Sequence, residues 1–158
     1  MRILGIDPGT GILGFGIIEA EHRRMQLVDA GVIRTPVKQD DALRLQTIFE
    51  ELSDIIAMTK PNVMSVEKLF FVRNVTTAMT VAQARGVVLL CGQQAGLTLF
   101  EYTPLQIKQT LTGYGRADKK QIQEMTRVML KLKVAPQPDD CADALAAAIT
   151  HAMTLRSV

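Results

Sequence analysis

Tryptophan is absent from this chain of 158 residues, and aromatic residues make up only 4% of it. A core must therefore be built from Ile, Leu, Val, Met and Ala, which suits helices packed on a sheet. There are two cysteines, Cys91 and Cys141, far apart in sequence. That excludes a disulfide framework, and each falls in a predicted helix among small and apolar neighbours, as buried reduced thiols do. His22 and His151 are the only histidines, so no zinc pattern can be assembled. No apolar run approaches the ~20 residues that span a bilayer. The opening MRILGIDPG has no signal-peptide profile. The expectation is a cytoplasmic, reducing location and no membrane partner. Excess charge is also lacking: 18 Lys plus Arg stand against 16 Asp plus Glu, a net of +2. Such a balance does not argue nucleic-acid binding by itself; the distribution of charge decides.

What is present is a 47% hydrophobic chain without internal repeat or low-complexity tract. The length fits one domain, residues 1–158. Arg2 to Asp7 reads as a strand, followed by the turn Pro8-Gly9-Thr10-Gly11. Leu13 to Ala20 and Met25 to Arg34 read as two more strands joined by a polar turn, which makes an antiparallel meander. A helix follows from Asp41, with Leu45, Ile48, Leu52, Ile55 and Ile56 at helical spacing, and Lys60-Pro61 stops it. Asn62 to Glu67 is a short apolar strand, expected to be central and parallel to the first. Val75 to Gln94 is a helix, and Leu97 to Tyr102 a fifth strand. Thr103-Pro104 starts a helix to about Thr112, and Asp118 to Gln121 is a capping box for one ending near Leu132. The last helix runs from Asp139 to about Leu155. The fold class predicted is α/β: a mixed five-stranded sheet, three antiparallel strands and then parallel ones, with helices on both faces.

Four acids stand where this layout places chemistry. Asp7 ends the first strand and Glu67 the fourth; Asp140 and Asp143 open the last helix. Carboxylates at the ends of buried strands are costly unless something positive neutralises them. Hard divalent ions take carboxylate oxygens well. Asp140 and Asp143 are three apart and so share one helix face. Asp139 is the expected capping residue of that helix. Ala142, Ala144, Ala146, Ala147 and Ala148 would let the helix lie close to the sheet and bring the two aspartates toward Asp7. His151 lies eight residues beyond Asp143, about 12 Å along the axis, so packing suits it better than metal binding.

Asp7-Pro8-Gly9-Thr10-Gly11 is ambiguous alone, because Asp-x-Gly-Thr also opens the phosphate hairpin of actin-like and sugar-kinase ATPases. The loop after Glu67 holds two adjacent phenylalanines, Phe70 and Phe71, flanked by Lys68 and Arg73. An exposed aromatic beside a metal-binding acid could stack on an unpaired base, and basic neighbours could hold phosphates. Lys108, Arg116, Lys119 and Lys120 gather around Tyr114 ahead of the last helix; a solvated basic face and a substrate groove both stay open. Gly86 inside the Val75–Gln94 helix permits either close approach of a second copy or packing on its own sheet.

With these acids placed, the chain resembles the RuvC family of Holliday-junction resolvases, within the RNase H-like superfamily. The marks are Gly5-Ile6-Asp7-Pro8-Gly9, Val66-Glu67 followed by Phe70, Gln83-Ala84-Arg85-Gly86-Val87, Gln106-Ile107-Lys108-Gln109, and Asp140-Cys141-Ala142-Asp143-Ala144-Leu145 with Ile149-Thr150-His151. The resemblance implies a homodimer that binds a four-way DNA junction and nicks two strands symmetrically in recombination and repair. It implies Asp7, Glu67, Asp140 and Asp143 as catalytic metal-binding acids, Phe70 as the aromatic at the junction, and Lys108 and Lys119 as DNA-contacting residues. Arg73, Arg116 and Lys120 are further DNA-binding candidates. Two Mg²⁺ per active site, with Mn²⁺ able to substitute, and a branch-migration helicase complex as partner belong to the same expectation. An ATPase domain or a non-catalytic junction-binding module are the competing readings.

Overall fold

The computed structural model describes residues 1–22, 24–68 and 75–155; Phe70 and Arg73 lie outside these described residues. Strands β1 (Arg2–Asp7), β2 (Ile12–Glu21) and β3 (Arg24–Arg34) form the antiparallel meander. β4 (Val63–Glu67) pairs parallel with β1, and β5 (Thr98–Tyr102) parallel with β4. The sheet order is β3-β2-β1-β4-β5, so β1 and β4 are interior. The helices are α1 (Asp41–Thr59), α2 (Val75–Gln94), α3 (Pro104–Thr112), α4 (Lys119–Met129) and α5 (Asp139–Thr154). The mixed five-stranded sheet expected from the sequence is the one found.

Strand alternation separates two cores, since successive side chains leave a strand on opposite faces. Leu4, Ile6, Met64 and Val66 pack with Ile48 and Leu52 of α1 and Ala84 and Val88 of α2. Ile3 and Tyr102 point the other way, into a core with Leu145 and Ile149 of α5, Ile107 and Leu111 of α3 and Ile122 of α4. Helices therefore cover both faces. By the same parity Asp7 and Glu67 face the α5 side.

α5 is buried continuously from Ala144 to Ala152, as a helix apolar on all sides must be. Its alanines permit a close approach, and so does the sheet: a side chain at Gly5 would run into the Ala144 carbonyl and the Ala148 Cβ, and one at Gly14 into the Asp140 backbone. Ser65 Oγ donates to the Ala147 carbonyl at 2.7 Å, a buried bond that pins α5 over β4.

The helix ends follow local chemistry. Thr103 with Gln106, and Asp118 with Gln121, form complete capping boxes. α4 ends at Met129, earlier than the expected Leu132, because Leu130 leaves helical geometry and Lys131 turns left-handed at φ 55°. Asp139 does not cap α5: the residue ahead of the helix is Pro138, and no side chain caps it. Asp139 instead enters the helix as its first residue and uses its carboxylate elsewhere. Among the described residues no helix is long and apolar enough to cross a membrane. Cys91 and Cys141 are free and buried, as expected.

Candidate active site

β1 and β4 are neighbours in register, with Ile6 opposite Val66. Their last residues, Asp7 and Glu67, thus emerge side by side at the carboxyl edge of the sheet. α5 begins over the same edge, because Gly14 (paired with Asp7 across β1 and β2) lies directly beneath Asp140. Three separate pieces of chain deliver their acids to one place.

The electrostatics report that convergence. The Asp7 carboxyl is pushed up to about 8, first by burial and then by the charges of Glu67, Asp143 and Asp140. Glu67 is pushed up to about 7, by burial first and then by Asp143. Asp143 is raised as well, mainly by burial, with Lys119 pulling it back. Asp140 is among the charges that act on Asp7, which favours Asp140 over Asp139 as the acid of this group. Shifts of this size and sign belong to carboxylates short of positive charge.

The acids face one another at Coulombic range and not yet as a coordination shell: among the described residues, no three Asp, Glu, His or Cys side chains stand close enough to hold one ion. Like charges repel, and a lysine pairs with one of the four, Asp143, and with its neighbour Asp139. Lys119 Nζ lies 3.2 Å from Asp143 Oδ2 and 3.4 Å from Asp139 Oδ2. The donor set still fits a hard divalent cation. It offers several carboxylate oxygens, and two of the carboxyls, Asp7 and Glu67, are raised by burial and by like charge, which a cation would offset.

A cleft of about 280 Å³ opens beside the acids, lined by Glu67, Pro104, Ile107, Lys108, Lys119, Ile122, Asp143 and Ala146. Lys108 and Lys119 both bear on Glu67 and lower its carboxyl. An acidic floor with two lysines on its wall places cation-binding and anion-binding groups in one cleft. Two other basic candidates stand apart. Lys120 lines a separate groove of about 430 Å³ with Tyr114, Gln121 and Glu124, and Arg116 is exposed.

Sequence reasoning missed the supports around the site. The hairpin after Asp7 is braced by Thr35, whose Oγ donates to the Thr10 carbonyl while accepting from Arg44 Nε at 2.9 Å. The Lys68 amide donates to the Tyr102 carbonyl at 2.8 Å, fixing the chain just beyond Glu67. Gln123 Nε2 donates to Asp139 Oδ1 at 2.8 Å. These contacts join distant segments through single polar atoms, and no spacing rule announces them. His151 is buried, its Nδ1 lying 2.8 Å from the Tyr102 hydroxyl and its ring 4.0 Å from that of Phe100. It packs, as its distance from Asp143 along the helix required.

Comparison with known proteins agrees with this geometry. A family model described as crossover junction endodeoxyribonuclease RuvC matches residues 3–151. The RuvC of Brevibacillus brevis is 55% identical over 152 residues, covering 96% of this chain and 92% of that protein. The RuvC of Heliobacterium modesticaldum is 56% identical over 155 residues, covering 98% and 96%. The solved Thermus thermophilus RuvC superimposes with a TM-score of 0.92 at 36% identity, over 99% of this chain and 96% of that one. A second structure, T. thermophilus RuvC in complex with Holliday junction substrate, gives 0.91 at 34% identity over the same shares.

Proposed function

The chain belongs to the RuvC family of crossover junction endodeoxyribonucleases, and from that premise we propose that it resolves four-way DNA junctions by metal-dependent hydrolysis of phosphodiester bonds. One observation carries this reading: Asp7, Glu67, Asp140 and Asp143, from three separated segments, meet beside a cleft walled by Lys108 and Lys119. We read residues 1–158 as a single nuclease domain.

Asp7, Glu67, Asp140 and Asp143 would hold Mg²⁺, two ions per site, with Mn²⁺ as a substitute. Bound there, such ions would supply Lewis-acid activation of water and neutralise charge at the leaving 3′ oxygen. Asp7 feels the charges of Glu67, Asp143 and Asp140 alike, which makes it the acid common to the group. Lys108 and Lys119 orient the scissile phosphate by its non-bridging oxygens. Phe70, Arg73, Arg116 and Lys120 extend the DNA-binding surface beyond the cleft. No side chain here needs to attack phosphorus.

Paired symmetric nicks need two sites related by a two-fold axis. We assign the homodimer contact to α2. Its outward face carries Met79, Gly86 and Leu90, all exposed, and a side chain built at Gly86 meets nothing within 4 Å. Gly86 thus does not pack on its own sheet, and its bare backbone suits close approach of a second α2. A helicase that migrates branches would act on the same junction in the cytoplasm and is the partner this substrate implies.

The test is nicking of a synthetic four-way junction in Mg²⁺, with linear duplex and chelator as controls. Paired nicks in the junction alone support the proposal. A chain that binds the junction without cutting it in any divalent metal is a binding module instead.

A further inference from the structure

Lys119 is the first residue of α4, directly after the capping Asp118. A cation there opposes the helix dipole, whose positive end lies at the N-terminus. The fold compensates with carboxylates from another helix. Asp143 and Asp139 of α5 both reach the Lys119 ammonium, at 3.2 and 3.4 Å. Asp139 is itself held, because Gln123 Nε2 donates to its other oxygen at 2.8 Å. Lys119 and Gln123 are one turn apart and share a face of α4. Together they form a fork that closes on Asp139.

Resting on the proposed nuclease function, we propose that Lys119 is a built-in cation that competes with the divalent ion for Asp143, and that Asp139 is its positioning residue. Asp139 is divided between Gln123 and Lys119. Its pull keeps the ammonium from settling wholly on Asp143. When a divalent ion takes Asp143, the ammonium stays tethered to Asp139 at the mouth of the cleft, where the phosphate of the DNA must lie. Asp139 thus sets how readily metal enters without joining its shell, and the Asp139-Asp140 pair divides its work: Asp140 toward the ion, Asp139 toward the lysine.

The proposal predicts a thermodynamic cycle, read by Mn²⁺ titration calorimetry on the full chain at fixed pH and salt. Asp139→Asn leaves Lys119 to pair with Asp143 alone, and weakens Mn²⁺ binding by about three-fold, the scale of a partly exposed ion pair. Lys119→Met removes the competitor and tightens Mn²⁺ binding. In the Lys119→Met background Asp139→Asn changes affinity by less than about two-fold, because the coupling partner is gone. Asp139→Glu restores the affinity of the unaltered protein. In single-turnover cleavage, Asp139→Asn raises the Mg²⁺ concentration for half-maximal rate. Weakening by the same factor in both backgrounds would make Asp139 an ordinary ligand and overturn the proposal. So would an unchanged affinity in Asp139→Asn, or a protein to which Mn²⁺ does not bind. Should the unaltered chain bind Mn²⁺ and fail to nick junctions, the function fails, while the cycle still decides the coupling.

Discussion

Gly14 of β2 and Asp140 of α5 meet backbone against backbone, with no room for a side chain between them. One contact therefore sets both the depth of the central helix and the height of the Asp140 carboxylate, a proposed metal ligand, above Asp7. Gly14→Ala forces the start of α5 outward. Overpacking of this kind costs about 1–3 kcal/mol, and the displaced acids should lose nicking more than junction binding. Denaturant unfolding with parallel binding and cleavage assays measures both. Equal loss of binding and cleavage would break the link between helix depth and chemistry.

Asp7→Asn should abolish cleavage and spare junction binding. If Asp7 holds the catalytic metal as proposed, its loss removes several kcal/mol of transition-state stabilisation, about a thousand-fold or more in rate. The same variant should melt at higher temperature than the parent in chelator at pH 8, since it deletes a charge that burial and three carboxylates oppose. A variant that melts lower would show that Asp7 is held by contacts its charge does not explain.

Stability without metal should depend on pH. The folded-state values of about 8 for Asp7 and about 7 for Glu67 lie above the unfolded carboxyl range near 4. The folded state then binds more protons than the unfolded one between those limits, and stability falls as pH rises from about 4 to about 8. Divalent metal should recover most of that loss at the upper end. Melting in chelator and in Mg²⁺ across this window tests it; a flat chelator profile counts against the clustered acids.

Leu90→Lys places a charge on the outward face of α2. Sedimentation at micromolar concentration should then report monomers and the unaltered chain dimers. Junction cleavage should lose its paired character, leaving single nicks. Dimers in the variant would move the interface off α2.

The layered architecture was legible because each strand and helix carries its own period and its own cap. Thr103 and Asp118 announced their helices correctly, and Asp7 and Glu67 were readable as acids ending apolar strands. What stayed hidden depends on contacts between segments. Asp139 looks like a cap, for it precedes a run of alanines; only the position of Gln123 on α4 shows its other use. The glycines of β1 and β2 look like weak points in strands until α5 is laid across them. Gly86 was undecidable from sequence, since an open face and a packed one use the same residue. Arg116 and Lys120 were grouped with Lys108 and Lys119 by proximity along the chain, yet the cleft takes only the second pair.

The burial of α5 on every side has an evolutionary corollary. The helix that carries two of the four acids also forms the centre of one core, so drift there is tested for folding and for activity at once. Diversification among such proteins should be concentrated in the loops and outer helices around this hub, and an engineer seeking altered junction preference would do well to start from that periphery.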